Sequence, residues 1–130
     1  MHCYITSENG HIHTGIAACH PDDIDMMSEK TGGEIAFRRA KINELRDIRD
    51  TDLKPRLAAL KQLYYSMNRS AKFNENSYEN RMLQRQIRLT NFDLATINEK
   101  LAYERQSLKE LIAKKDNFYK QIRKNRQGQN

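Results

Sequence analysis

Helix breakers are scarce in this sequence. Only two prolines and five glycines occur in 130 residues, and both prolines, Pro21 and Pro55, fall in the first half. Proline removes an amide donor and collides with the preceding turn, so nothing of that kind interrupts a helix after Pro55. Two cysteines, Cys3 and Cys19, are too few for a disulfide framework and lack the spaced pairs of a zinc ribbon. A reducing compartment follows. No run approaches the roughly 18 apolar residues of a membrane span, and no basic segment leading into an apolar one opens the chain, so neither a span nor a signal peptide is expected. With 38% apolar residues and a mean hydropathy of -0.92, a large single core is excluded. Stability is expected from elongated packing or from a second chain.

Charge is distributed unevenly. Residues 1 to 34 hold one basic residue, Lys30, and six acidic ones (net −5), whereas the rest carries 22 basic and 11 acidic residues (net +11). Such a split suits helices that meet an anion, whether nucleic acid, nucleotide or acidic protein surface. It suits equally an acidic head that neutralises part of its own helices.

Strand character is confined to the N-terminus, where Tyr4, Ile5, Thr6 and Ile12, Thr14, Ile16 flank Asn9-Gly10, the strongest short hairpin signal. A two-residue turn there opposes Ser7 to Ile12, Ile5 to Thr14 and Cys3 to Ile16. It turns Cys3, Ile5, Ile12, Ile16 and Ala18 toward helices and Tyr4, Thr6, His11, His13 and Cys19 outward. Thr31 to Glu34 (TGGE) reads as a capping box opening a helix from Gly32 to Arg49. The stretch Arg49 to Asp52 breaks or kinks it. Leu53, Leu57, Leu60, Tyr64 and Met67 then mark a second helix of about fifteen residues, with Pro55 tolerated in its first turn. Asn68 to Ser77 reads as a loop, with Asn76 and Glu79 as a cap.

From Tyr78 to about Lys124 the pattern is heptad-like. Ile87, Leu94, Leu101, Leu108, Lys115 and Ile122 fall at a positions; Leu83, Thr90, Ile97, Glu104, Leu111 and Phe118 fall at d. At 1.5 Å per residue a helix of about 45 residues reaches about 65 to 70 Å, more than the shorter helices can cover. Self-association along Leu83, Ile87, Leu94, Ile97, Leu101, Leu108 and Leu111 is therefore expected. Thr90, Glu104 and Lys115 either fix register or mark where the helix leaves its partner. The expected fold is mainly α: a hairpin packed on helices, then a long coiled-coil-like helix in a dimer or higher oligomer. Residues 1–75 form the hairpin and two-helix head, 76–125 the long helix, and 126–130 a disordered tail.

The segment CHPDD, Cys19 to Asp23, concentrates a thiol, an imidazole and two carboxylates. A tetrahedral metal needs converging ligands from spaced pairs, and adjacent strand residues point to opposite faces, so an exit loop is the better reading and no metal, cofactor or catalytic residue is assigned. The glycine-preceded helix start with Arg38 and Arg39 one turn on can face an anion, but Glu34 repels one there. More suggestive is RMLQRQIRLTNF. Arg81, Arg85 and Arg88 recur at spacings of four and three, with Phe92 four further along, on the face opposite the apolar seam. Guanidinium groups bind phosphates and a ring one turn away stacks on a base; a solvated face with Phe92 against another subunit is the plain alternative. Lys114 to Asn130 carries six basic residues and one acidic, which suits a phosphate backbone or simply a helix C-terminus.

The hairpin, then GIAACHPDD and TGGEIAFRRAKI, resembles a pattern in small proteins of bacteriophages that infect Gram-positive bacteria. The matching residues are Cys19, His20, Pro21, Asp22, Asp23, Gly33, Ala36, Arg39 and Ala40, and the likeness spans residues 11 to 42. A hairpin followed by long helices is also similar to phage sponge proteins that sequester cyclic nucleotide signals of the Thoeris defence. What this resemblance implies is a non-enzymatic anti-defence protein in the host cytoplasm. Such a protein would sequester a nucleotide signal or block a bacterial defence protein; the resemblance assigns no binding residues, and the arginine face supplies the candidates Arg81, Arg85, Arg88 and Phe92, with Arg38 and Arg39 of another chain. A basic coiled-coil protein that binds DNA or RNA is the alternative.

Overall fold

The structure, a computed structural model, describes residues 2–7, 10–17, 29–69 and 77–128. Two strands, β1 (His2–Thr6) and β2 (Ile12–Ile16), precede helix α1 (Glu29–Asp47), a π-helical segment (Ile48–Leu53), helix α2 (Lys54–Asn68) and the long helix α3 (Tyr78–Gly128). Helix accounts for 85% of the described residues, so the chain is mainly α. By packing it divides into two compact units, one of residues 1–44 with 101–130, the other of residues 45–100. The division expected at 75/76 follows the linker instead.

In the first unit the hairpin register differs by one residue from the expected one. β1 and β2 pair antiparallel with Cys3 opposite Gly15, Tyr4 opposite Thr14 and Ile5 opposite His13. The Ser7 N–H donates to His11 O at 2.8 Å and the Gly10 N–H to Ser7 O at 2.9 Å. Three residues, not two, therefore separate the bonded pair, and Gly10 takes the left-handed φ of 83° that closes such loops. A one-residue slip exchanges the faces of the second strand. His13, Gly15 and Ala17 are buried, while Ile12 and Ile16, expected inside, are exposed with Tyr4.

Close approach explains why the smaller residues won. A β-carbon added at Gly15 would overlap the Ala36 carbonyl oxygen and the Ala40 amide nitrogen, so only glycine lets β2 lie directly on the α1 backbone. Ala36 and Ala40 are fully buried. The small residues of TGGEIAFRRAK thus form a seat for the hairpin. Around it Ala17, Ile35 and Ala36 make a core against which Cys3, Leu108, Leu111 and Ile112 pack, so α3 closes over the same cluster. Two side chains of α1 fasten the strand edge: Arg39 Nη1 donates to Ile16 O, and Asn43 Nδ2 to Thr14 O at 2.6 Å.

Helix boundaries differ from expectation at both caps. α1 begins at Glu29, so Thr31 lies in its first turn and does not precede it. α3 is capped by Ser77, whose Oγ accepts from the Asn80 N–H at 3.2 Å, in place of the expected Asn76, which lies outside the described residues. The helix runs on to Gly128, past the expected end at residue 125.

The expected break at Arg49 to Asp52 is a change of helical pitch. Pro55 sits in the first turn of α2, where its missing amide leaves the Thr51 carbonyl without its usual partner and its ring crowds that turn. Ahead of it the Lys54 N–H reaches back five residues to Arg49 O, a π-type bond that widens the turn. Thr51 Oγ1 adds a bond to Asp47 O at 2.6 Å. The segment is laced with ion pairs: Arg49 and Lys54 to Asp50, Arg56 to Asp52.

Along α3 the seam holds at first and then slips. Leu83, Thr90 and Leu101 are buried, and Ile87, Leu94, Ile97, Leu108 and Leu111 are half-buried. Phe118, the next d position, is 54% exposed, whereas Tyr119 is 5% exposed. An α-helix of 3.6 residues per turn drifts about 20° per heptad, and five heptads from Leu83 to Phe118 accumulate about 100°, one residue. The polar seam positions have their own partners: Thr90 Oγ1 donates to Gln86 O at 2.8 Å, Glu104 pairs with Arg38, and Lys115 lies over the Tyr119 ring at 5.8 Å. An ion pair accounts for Glu104 and a cation–ring contact for Lys115.

Candidate functional site

Arg81, Arg85 and Arg88 stand exposed on the first third of α3, all within the second unit. Their side chains make no hydrogen bond or ion pair among the described residues, unlike Arg49, Lys54 and Arg56 of the same unit, each neutralised by an aspartate. Phe92 continues the stripe at 68% exposure, and Tyr78, a turn before Arg81, opens it at 67%. Tyr78 is not among the expected site residues, yet its spacing of three from Arg81 and seven from Arg85 places it on the same face. Steps of three and four residues keep all five within about 100° of arc, opposite Ile87 and Leu94. The result is a row of cations about 10 Å long, bracketed by two rings about 21 Å apart. Thr96 Oγ1 bonds to Phe92 O at 3.0 Å, which keeps that hydroxyl on the helix.

The other two candidate arginines are occupied within the first unit. Arg38 Nη1 donates to Glu104 Oε2 at 2.8 Å and lies 6.0 Å from the Tyr103 ring centroid. The bond to Glu104 raises the guanidinium above its ordinary range, against a smaller opposing effect of burial. Arg39 is spent on the β2 edge. Both fasten the hairpin, α1 and α3 together, and a ligand would have to break those contacts to use them.

The register shift assembles a polar cluster that the sequence did not disclose. Ser7 Oγ lies 3.1 Å from His13 Nδ1 and donates to Glu44 Oε2 at 3.2 Å, while Lys41 Nζ bonds to Glu44 Oε1 at 2.8 Å. His13 and Glu44 are buried. A hydroxyl has one proton; given to Glu44, it leaves Ser7 Oγ to accept from His13 Nδ1–H, the tautomer this network assigns. A serine nucleophile needs its proton taken by the imidazole, which is the reverse arrangement. The cluster ties the loop end of the hairpin to α1. Burial pushes the Glu44 carboxyl up, but the Lys41 bond and charge, the Ser7 hydroxyl and His13 together hold it below its ordinary value.

Among the described residues no three His, Cys, Asp or Glu side chains converge on a metal position. No helix of the described residues is long and apolar enough to cross a membrane. Cys19, His20, Asp22 and Asp23 lie outside the described residues. No protein family, curated protein or solved structure matches the chain. The functional reading therefore rests on its own residues.

Proposed function

We propose that this chain is a non-enzymatic protein that acts by binding, and that it holds a phosphate-bearing ligand on the α3 face of Arg81, Arg85, Arg88 and Phe92. The observation that carries the reading is the alignment of these three on one exposed face with no carboxylate partner among the described residues, whereas Arg49 and Arg56 of the same unit each have one. Three unpaired guanidinium groups in a row repel one another in the free protein, and a polyanion relieves that repulsion while accepting forked hydrogen bonds. In the phage setting that the N-terminal pattern resembles, such a protein would antagonise a bacterial defence by capturing a nucleotide signal or an anionic surface of a defence protein. The half-buried seam residues Ile87, Leu94 and Ile97 suit a second copy of the chain, which would double the number of faces.

The test is a titration with tripolyphosphate and with labelled oligonucleotide at low and moderate salt. Arg85→Glu with Arg88→Glu should abolish binding and leave the helical circular dichroism unchanged, because both side chains are exposed. Unaltered affinity for every anionic probe in the double variant would defeat the proposal.

A further inference from the structure

Resting on the arginine-face reading, we infer that the ligand class is a single-stranded nucleic acid whose backbone follows α3 from Tyr78 to Phe92, with unpaired bases stacked on those two rings. The two rings carry the inference. Both are large, apolar and about two-thirds exposed at opposite ends of the cationic row. An aromatic ring in water beside arginines has a use if a planar, uncharged group comes with the phosphates, and a base is that group.

Geometry then selects among nucleic acids. Fourteen residues of helix separate the rings by about 21 Å, which one mononucleotide cannot bridge. A strand at the stacked rise of about 3.4 Å per nucleotide covers that distance with about six nucleotides, and a stretched one with fewer. A duplex keeps its bases paired inside, so the rings would meet sugar and phosphate and lose their stacking partner. An acidic protein surface offers carboxylates to the arginines and nothing comparable to the rings. Between the rings, Arg81 and Arg88 are about 10 Å apart, within the reach of two or three consecutive phosphates. The hydroxyl of Thr96 is already bonded to the helix, and Leu89, exposed at the edge of the stripe, adds apolar surface for a base or sugar.

The experiment is fluorescence anisotropy at low salt with four labelled probes: an oligothymidylate of about 12 nucleotides, its abasic counterpart, a trinucleotide, and a duplex of the same length. Full-length protein is used, with Phe92→Ala, Tyr78→Ala and the ring-conserving Phe92→Tyr. The single strand should bind more tightly than the abasic strand, the trinucleotide and the duplex. Phe92→Ala should weaken it roughly 5- to 100-fold, with no change for the abasic strand, and Phe92→Tyr should restore it. Equal binding of the abasic and base-bearing strands, together with an indifferent Phe92→Ala, overturns the single-strand inference but leaves the phosphate face standing. Loss of all binding only in Arg85→Glu with Arg88→Glu supports that face. Binding that survives this double variant, or no binding to any probe, sinks both.

Discussion

Replacing Gly15 by alanine is the severest small change the fold can be asked to accept. The added β-carbon meets two backbone atoms, Ala36 O and Ala40 N, held in place by the hydrogen bonds of α1. Neither can swing aside as a side chain would, so β2 must lift from α1 by an ångström or more. Overpacking of this kind costs about 1 to 3 kcal/mol. Lifting the strand also parts Cys3 and Ala17 from Ile35 and Ala36, which adds about 1 kcal/mol of lost apolar burial. The total of about 2 to 4 kcal/mol corresponds to a fall in Tm of about 10 °C for a chain of this size. Gly10→Ala provides the control, since its β-carbon meets nothing within 4 Å and only the left-handed φ opposes it, at about 1 kcal/mol. Thermal unfolding followed by circular dichroism measures both. In a Cys19→Ser background the thiol of Cys3, opposite Gly15 and packed on the core, reports hairpin lifting through its rate of labelling. A Gly15→Ala protein that melts and labels like its parent would refute the direct seating of β2 on α1.

Three further comparisons follow from the same contacts. Arg38→Ala strands the half-buried Glu104 carboxylate and should cost about 2 kcal/mol by urea denaturation, whereas Glu104→Leu, flanked by Leu101 and Leu108 in the seam, should cost less than half as much. Tyr119→Ala should destabilise by about 2 to 3 kcal/mol and Phe118→Ala by less than about 0.5, a ranking that reverses if α3 keeps a strict heptad from Leu83. Because Glu44 is held below its ordinary pKa when folded, its contribution is complete above about pH 4.3 and is lost as pH falls through the lowered folded value. A pH series of urea melts should therefore show a stability loss on the acid side that Glu44→Gln flattens; parallel profiles for the two proteins would contradict the Ser7–Glu44–Lys41 tie.

Much of this architecture can be read from residue patterns, and the failures are physical. The scarcity of helix breakers and the seam from Leu83 onward announce the long helix, and the arginine spacing of four and three announces the face. The hairpin was legible in place but not in register. Asn9-Gly10 argues for a two-residue turn, and Ile12 and Ile16 look like the buried side because hydrophobicity usually decides. Here distance of approach decides instead: with β2 lying on the α1 backbone, Gly15 and Ala17 fit and isoleucine does not. Everything that depends on that register, including the burial of His13 and the cluster it forms with Ser7, Glu44 and Lys41, was hidden for the same reason. The Arg38 bond to Glu104 spans 66 residues and has no local signature. Tyr119 became visible only through the drift of 3.6 against 3.5 residues per turn.

Phosphate binding by the face of Arg81, Arg85 and Arg88 is tested most directly by the salt dependence of single-strand binding. Neutralising three phosphates of a single strand gives a slope of about −2 in log affinity against log salt concentration, and each arginine changed to glutamine should reduce its magnitude by about 0.7. Stepwise flattening through Arg81→Gln, Arg85→Gln and Arg88→Gln is the predicted result. A slope that stays the same in the triple variant would contradict it.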